Sequence, residues 1–137
     1  MLRKIDLEMS KAVRNREPFF KDNTEVKVSG SGFTASVFLF GNDMARIIGP
    51  WIIFAKQCVV DDKWKTATTK RRINALLHEF VPSLRLYQSK NKWYFSRSFS
   101  CDLLWESDNV SIHLDEKFIS INYIRYPLYD ESSKEVA

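Results

Sequence analysis

The stretch Lys63-Trp64-Lys65-Thr66-Ala67-Thr68-Thr69-Lys70-Arg71-Arg72-Ile73-Asn74 gathers five cations, three threonine hydroxyls and an indole. Hydroxyls, backbone amides and cations together suit phosphodiester oxygens. A ring such as Trp64 can stack on a base, an interaction worth about 1–3 kcal/mol where it occurs. Lys70, Arg71 and Arg72 fall in the first turn of a helix. Exposed amides and the macrodipole there favour anions, not cations. A bound phosphate would resolve that conflict. The residues are equally those of a capped surface helix whose cations pair with Asp61, Asp62 and the acidic last third of the chain.

A second patch, Lys90-Asn91-Lys92-Trp93-Tyr94-Phe95-Ser96-Arg97, interleaves aromatics with cations. It has the look of a single-strand-binding ribbon, with Lys92 and Trp93 as its contacts. It also fits a hairpin with a charged tip and an aromatic core face, since strands favour aromatics for packing alone.

Enzymatic and metal chemistry find little support. His78 and Glu79 are helix neighbours and do not face each other. Ser111, His113 and Asp115 share one face of an alternating strand, but triads are defined by geometry, not by order in the chain. Asp61 and Asp62 with Asp43 or Glu25 have no spacing that fixes a metal. Cys58, Cys101, His78 and His113 contain no close ligand pair of the zinc type. The glycines mark turns and form no phosphate-cradling loop. A non-enzymatic protein without metal or cofactor is expected.

The elements that must position these residues follow from periodicity. The chain has 137 residues, 45% of them hydrophobic, enough for one domain with a real core. Ten Phe, five Tyr and four Trp make it rich in aromatics, some of which are free to serve as stacking platforms. Leu2, Ile5, Met9, Ala12 and Val13 recur at helical spacing over residues 2–16, and Pro18 ends the pattern. Ile73, Leu76, Leu77 and Phe80 give a second helix over about 68–80, capped by Thr66 or Thr68 and stopped by Val81-Pro82. Lys70, Arg71 and Asn74 lie off its apolar stripe. Strands are expected at 25–29, 32–40, 44–48, 51–57, 84–89, 92–97, 110–115 and 119–124, with turn residues between them. The fold class is therefore α+β: an antiparallel meander of about seven to eight strands with an N-terminal and a central helix. Residues 1–137 form a single domain, with 130–137 a frayed polar tail.

Charge is unevenly spread. Residues 1–100 hold 18 Lys/Arg against nine Asp/Glu, whereas residues 101–137 hold three against eight. The first part attracts polyanions; the second can cover it or repel them. The first twenty residues are charged throughout, without the pattern of a secretory signal. No apolar run reaches the roughly 20 residues that span a bilayer.

Several motifs together form one wider pattern. Asn23-Thr24 follows a short N-terminal helix. Phe40-Gly41-Asn42-Asp43-Met44-Ala45 is similar to a Leu-His-Gly-Asn-x-Ile-Ala turn, with Phe40 in the usual His region. Lys63-Trp64-x-Thr66-x-Thr68-Thr69-x-x-Arg72-Ile73-Asn74-x-Leu76 resembles a Gly-Trp-x-Thr-x-Thr-Thr-x-x-Arg-Leu-Asn-x-Leu signature, with Lys63 in place of Gly. Lys92-Trp93-Tyr94 resembles the hairpin that follows. Together these motifs resemble those of a family of small proteins from tailed bacteriophages; the resemblance covers about residues 1–97 and implies a phage accessory or host-takeover factor in the cytoplasm of the infected bacterium. It gives Trp64, Thr66, Thr68, Thr69, Arg72 and Asn74 a shared role, which can be structural: threonines capping the helix, Arg72 and Asn74 bonding strand ends. Lys63, Lys65, Lys70 and Arg71 stand outside the shared pattern and test phosphate binding better.

The expected partner is nucleic acid, DNA or RNA, held by Lys63, Lys65, Lys70, Arg71 and Arg72, with stacking on Trp64, Trp93 and Tyr94. The alternative is a small inhibitor or adaptor that binds a host or phage protein through exposed aromatics. Oligomeric state is open.

Overall fold

The structure, a computed structural model, describes residues 2–55, 66–105 and 109–129. Helix α1 is Lys4–Asn15 and helix α2 is Ala67–Phe80. The strands are β1 (Phe19–Lys21), β2 (Thr24–Val28), β3 (Thr34–Leu39), β4 (Asn42–Ile48), β5 (Trp51–Phe54), β6 (Arg85–Ser89), β7 (Lys92–Ser96), β8 (Leu103–Leu104), β9 (Val110–His113), β10 (Phe118–Ile121) and β11 (Ile124–Pro127). The fold is α+β with antiparallel strands, as the periodicities require.

Among the described residues there are eleven strands in two sheets, the larger with eight strands, where one meander of seven to eight was expected. The large sheet has the order β1-β2-β3-β4-β5-β9-β10-β11, and β6-β7-β8 form a small one. In the large sheet β5 therefore lies directly beside β9. Helix α2 and the small sheet are inserted between those neighbours. β1 and β8 are too short to carry a period. The run read as one strand over 119–124 is broken by Asn122-Tyr123, both at positive φ, into β10 and β11. Such two-residue turns match the right-handed twist of the strands that they join.

Helix α1 stops before Pro18. Arg16 takes the left-handed conformation (φ 54°), and the Glu17 amide donates to the Ala12 carbonyl at 2.9 Å. That is a C-terminal cap made without glycine.

One core holds these layers together. Val26, Val37, Ile47, Ile52, Ile112 and Ile119 cover one face of the large sheet. Met9 and Val13 from α1, Ile73, Leu76 and Leu77 from α2, and Leu86, Trp93 and Phe95 from the small sheet pack into the same cluster. Aromatic contacts tie the sheets directly: the Phe54 ring lies 5.1 Å from Trp105 and 6.4 Å from Phe95. Arg97, buried at the end of β7, donates to the Pro127 carbonyl at 3.0 Å and the Cys101 carbonyl at 3.2 Å. Trp93 is 1% exposed. Its ring belongs to the core and is closed to a base, which corrects the expectation that it stacks.

Candidate functional site

Helix α2 is set by its first residue outside the helix. Thr66 has extended backbone, and its hydroxyl accepts from the Thr69 amide at 3.1 Å. Its Oγ1 also lies 3.0 Å from Thr69 Oγ1. No acidic residue occupies the first turn. The threonine cap thus satisfies an orphan amide that a carboxylate often serves. Thr68 is half-buried beside this cap.

The helical period then sorts the side chains that follow. Thr69, Arg72, Ile73, Leu76 and Leu77 are buried. Arg72, 3% exposed, spends its guanidinium on three elements. Nε donates to Thr24 Oγ1 at 3.0 Å, Nη2 donates to Asn23 Oδ1 at 3.2 Å, and Nη1 donates to Asp6 Oδ1. Asp6 is fully buried, and its other oxygen accepts from the Arg3 amide at 2.7 Å. Arg72 is therefore the clamp that joins α1, α2 and the β1–β2 turn. It is not free for a phosphate, and the reading of Arg72 as a ligand contact is corrected. Asn74 is similarly engaged. Its Nδ2 donates to the Leu86 carbonyl at 2.8 Å and its Oδ1 accepts from the Leu86 amide at 2.8 Å. It thereby pairs backbone groups on the outer edge of β6, which no neighbouring strand covers among the described residues.

The flank of α2 away from the clamp lines an open groove of about 710 Å³. Ala67, Lys70, Arg71, Asn74 and His78 form one wall. Leu2 and Arg3 at the start of α1 form another, and Pro82, Leu84, Arg85, Leu86 and Tyr87 close the third side. Among the described residues four cationic side chains line the groove and no carboxylate does. Arg71 Nε lies 3.5 Å from Asp6 Oδ2. Arg71 and Arg72 thus share one carboxylate, leaving that cluster with a net positive charge. Arg3, Lys70 and Arg85 make no ion pair among the described residues. At the groove's end the Tyr87 hydroxyl donates to Asp102, and this hydrogen bond, with burial next, raises the hydroxyl's pKa above its ordinary 10.0.

Of the residues singled out in the sequence, the groove brings together Lys70, Arg71 and Asn74. Lys63, Trp64 and Lys65 lie outside the described residues. Lys92 is exposed on β7, away from the groove's lining. Arg3, His78, Arg85 and Tyr87 are additions. The spacing 70, 74, 78 already places His78 on the stripe of Lys70 and Asn74. Arg3 and Arg85 have no such local signal.

Among the described residues no group of three or more His, Cys, Asp or Glu side chains could hold a metal, and no helix is long and apolar enough to cross a membrane. A family model described as Kyanoviridae Gp96 protein matches residues 2–121, further along the chain than the motifs around residues 23–97. No curated protein and no solved structure matches the chain.

Proposed function

The chain belongs to the Kyanoviridae Gp96 protein family, a family of phage proteins, and on that premise we propose that it is a non-enzymatic accessory protein that binds nucleic acid in the cytoplasm of the infected host. The observation that carries the reading is the groove between α1, α2 and β6, with Arg3, Lys70, Arg71 and Arg85 in its walls and no carboxylate among its described lining residues. Converging cations of this kind neutralise neighbouring phosphates and release their counterions. The family signature serves a different end: Thr66, Thr69, Arg72 and Asn74 build the scaffold that aims the cations. With four phosphates engaged, log affinity against log salt has a slope of roughly −3 for a single strand. Anisotropy titrations on mixed DNA and RNA at several salt concentrations test this. Absence of binding at low salt, or binding indifferent to Lys70→Glu with Arg85→Glu, rejects it.

A second reading, an inhibitor or adaptor acting on a host or phage protein, draws on the exposed rings of Phe20, Phe40 and Tyr123, which are 64–80% accessible. Such rings are suited to anchor an interface. A stoichiometric protein partner that survives nuclease treatment of a host lysate favours this reading over the first.

A further inference from the structure

We infer that the groove's ligand is a single strand whose bases continue onto a tyrosine step, Tyr87–Tyr94, on the outer face of the small sheet. The inference rests on the phosphate-binding reading of the groove and goes beyond it to the class of nucleic acid.

The shape of the groove is the first ground. Its cations come from three elements and converge on a recess. Duplex DNA carries its phosphates on the outside of a stiff cylinder, and its readers insert a helix or ribbon into a groove about 12 Å wide. Here the cations lie in the walls of a concavity, where a flexible single backbone can lie and a duplex cannot enter.

The register of the small sheet is the second ground. Arg85 pairs with Ser96, Tyr87 with Tyr94 and Ser89 with Lys92. Leu86, Trp93 and Phe95 point into the core, so alternation puts Arg85, Tyr87, Tyr94 and Lys92 on the opposite face. Tyr87 and Tyr94 are half-buried and stack with ring centroids 5.5 Å apart and planes 20° from parallel. Tyr87 and Arg85 also line the groove. Phosphate-binding walls thus run without interruption into a pair of rings, and Lys92 lies beyond the rings. Cations with stacking rings are how proteins hold single strands without reading sequence. Asp102, held by the Tyr87 hydroxyl, fixes that ring and repels phosphates from its own side.

The test uses the full chain and labelled probes of about 12 nucleotides, within the span that one single-strand-binding module covers. The probes are oligo-dT, oligo-rU, an abasic strand of the same charge, and a duplex of the same length. Both the duplex and the abasic strand are expected to bind about tenfold more weakly than the better of dT and rU. Whichever of those two binds more tightly identifies the sugar, and either supports the inference. Tyr94→Leu, outside the groove, is expected to lose about tenfold on that strand and nothing on the abasic one, while Tyr94→Phe keeps both. A duplex or an abasic strand bound as tightly as the best single strand overturns the inference and leaves the phosphate-binding groove standing. No binding of any probe at low salt overturns both.

Discussion

Helix α2 carries cations on two flanks, and the flanks behave differently. On one, Arg72 is buried and bonded to Asp6, Asn23 and Thr24. On the other, Lys70 lines the groove with no ion pair among the described residues, beside Arg71 at the edge of the Asp6 cluster. The two flanks are two residues apart in the chain. The difference lies in what faces them: a carboxylate and two polar acceptors on one side, other cations on the other. A buried cation with a satisfied geometry is part of the scaffold, and its removal leaves its partner unpaired. A half-buried cation among cations, as Lys70 is, adds little to folding and leaves charge free for a ligand.

The sharpest way to break this comparison is Arg72→Ala. It removes the closer of the two guanidiniums from the buried Asp6 carboxylate, leaving Arg71 at 3.5 Å, and unfolding free energy is expected to fall by about 3 kcal/mol in denaturant titrations. A loss below about 1 kcal/mol would place Arg72 with the surface cations. The reciprocal change, Lys70→Glu with Arg85→Glu, is expected to leave stability within about 0.5 kcal/mol. Nucleic-acid affinity should meanwhile fall about 100-fold, roughly 2.7 kcal/mol, with a shallower salt slope. Equal loss of stability and binding would erase the distinction between the flanks.

Asn74 belongs to both flanks, since it lines the groove and bonds β6. Asn74→Ala is expected to cost about 2 kcal/mol by leaving the Leu86 amide and carbonyl unpaired. Hydrogen exchange at the Leu86 amide should accelerate with it, while the salt slope of binding stays unchanged. The smallest effect concerns Tyr87. Its raised pKa means that the folded state holds the phenolic proton more tightly than the unfolded chain does. The associated stability is fully present below pH 10 and is lost as pH rises through the folded value. In an ultraviolet titration Tyr87 should ionise later than an ordinary tyrosine, and Asp102→Asn should remove the delay.

Much of the scaffold was legible. The stripe Ile73, Leu76, Leu77 and Phe80 announces α2, because helical side chains three and four apart share a face whatever surrounds them. The threonine cap is similarly local. The hairpin 92–97 shows Trp93 and Phe95 on one face and Tyr94 on the other, but alternation does not say which face meets the core. That choice depends on Phe54 and Trp105 arriving from elsewhere in the chain, and it exchanges Trp93 for Tyr94 as the accessible ring. The clamp around Arg72 was legible only as co-occurring motifs. Asn23-Thr24 and Arg72 are 48 and 49 residues apart yet touch.

The sequence by itself determined the fold class, the two helices, most of the strands and the excess of positive charge before residue 100, since these depend on residue type and short-range spacing. Only the tertiary structure decided which cations are scaffold and which are free. That depends on where Asp6, Arg3 and Arg85 arrive once α1, α2 and β6 pack, and a cation's role follows from the charge that it meets, which local spacing does not encode.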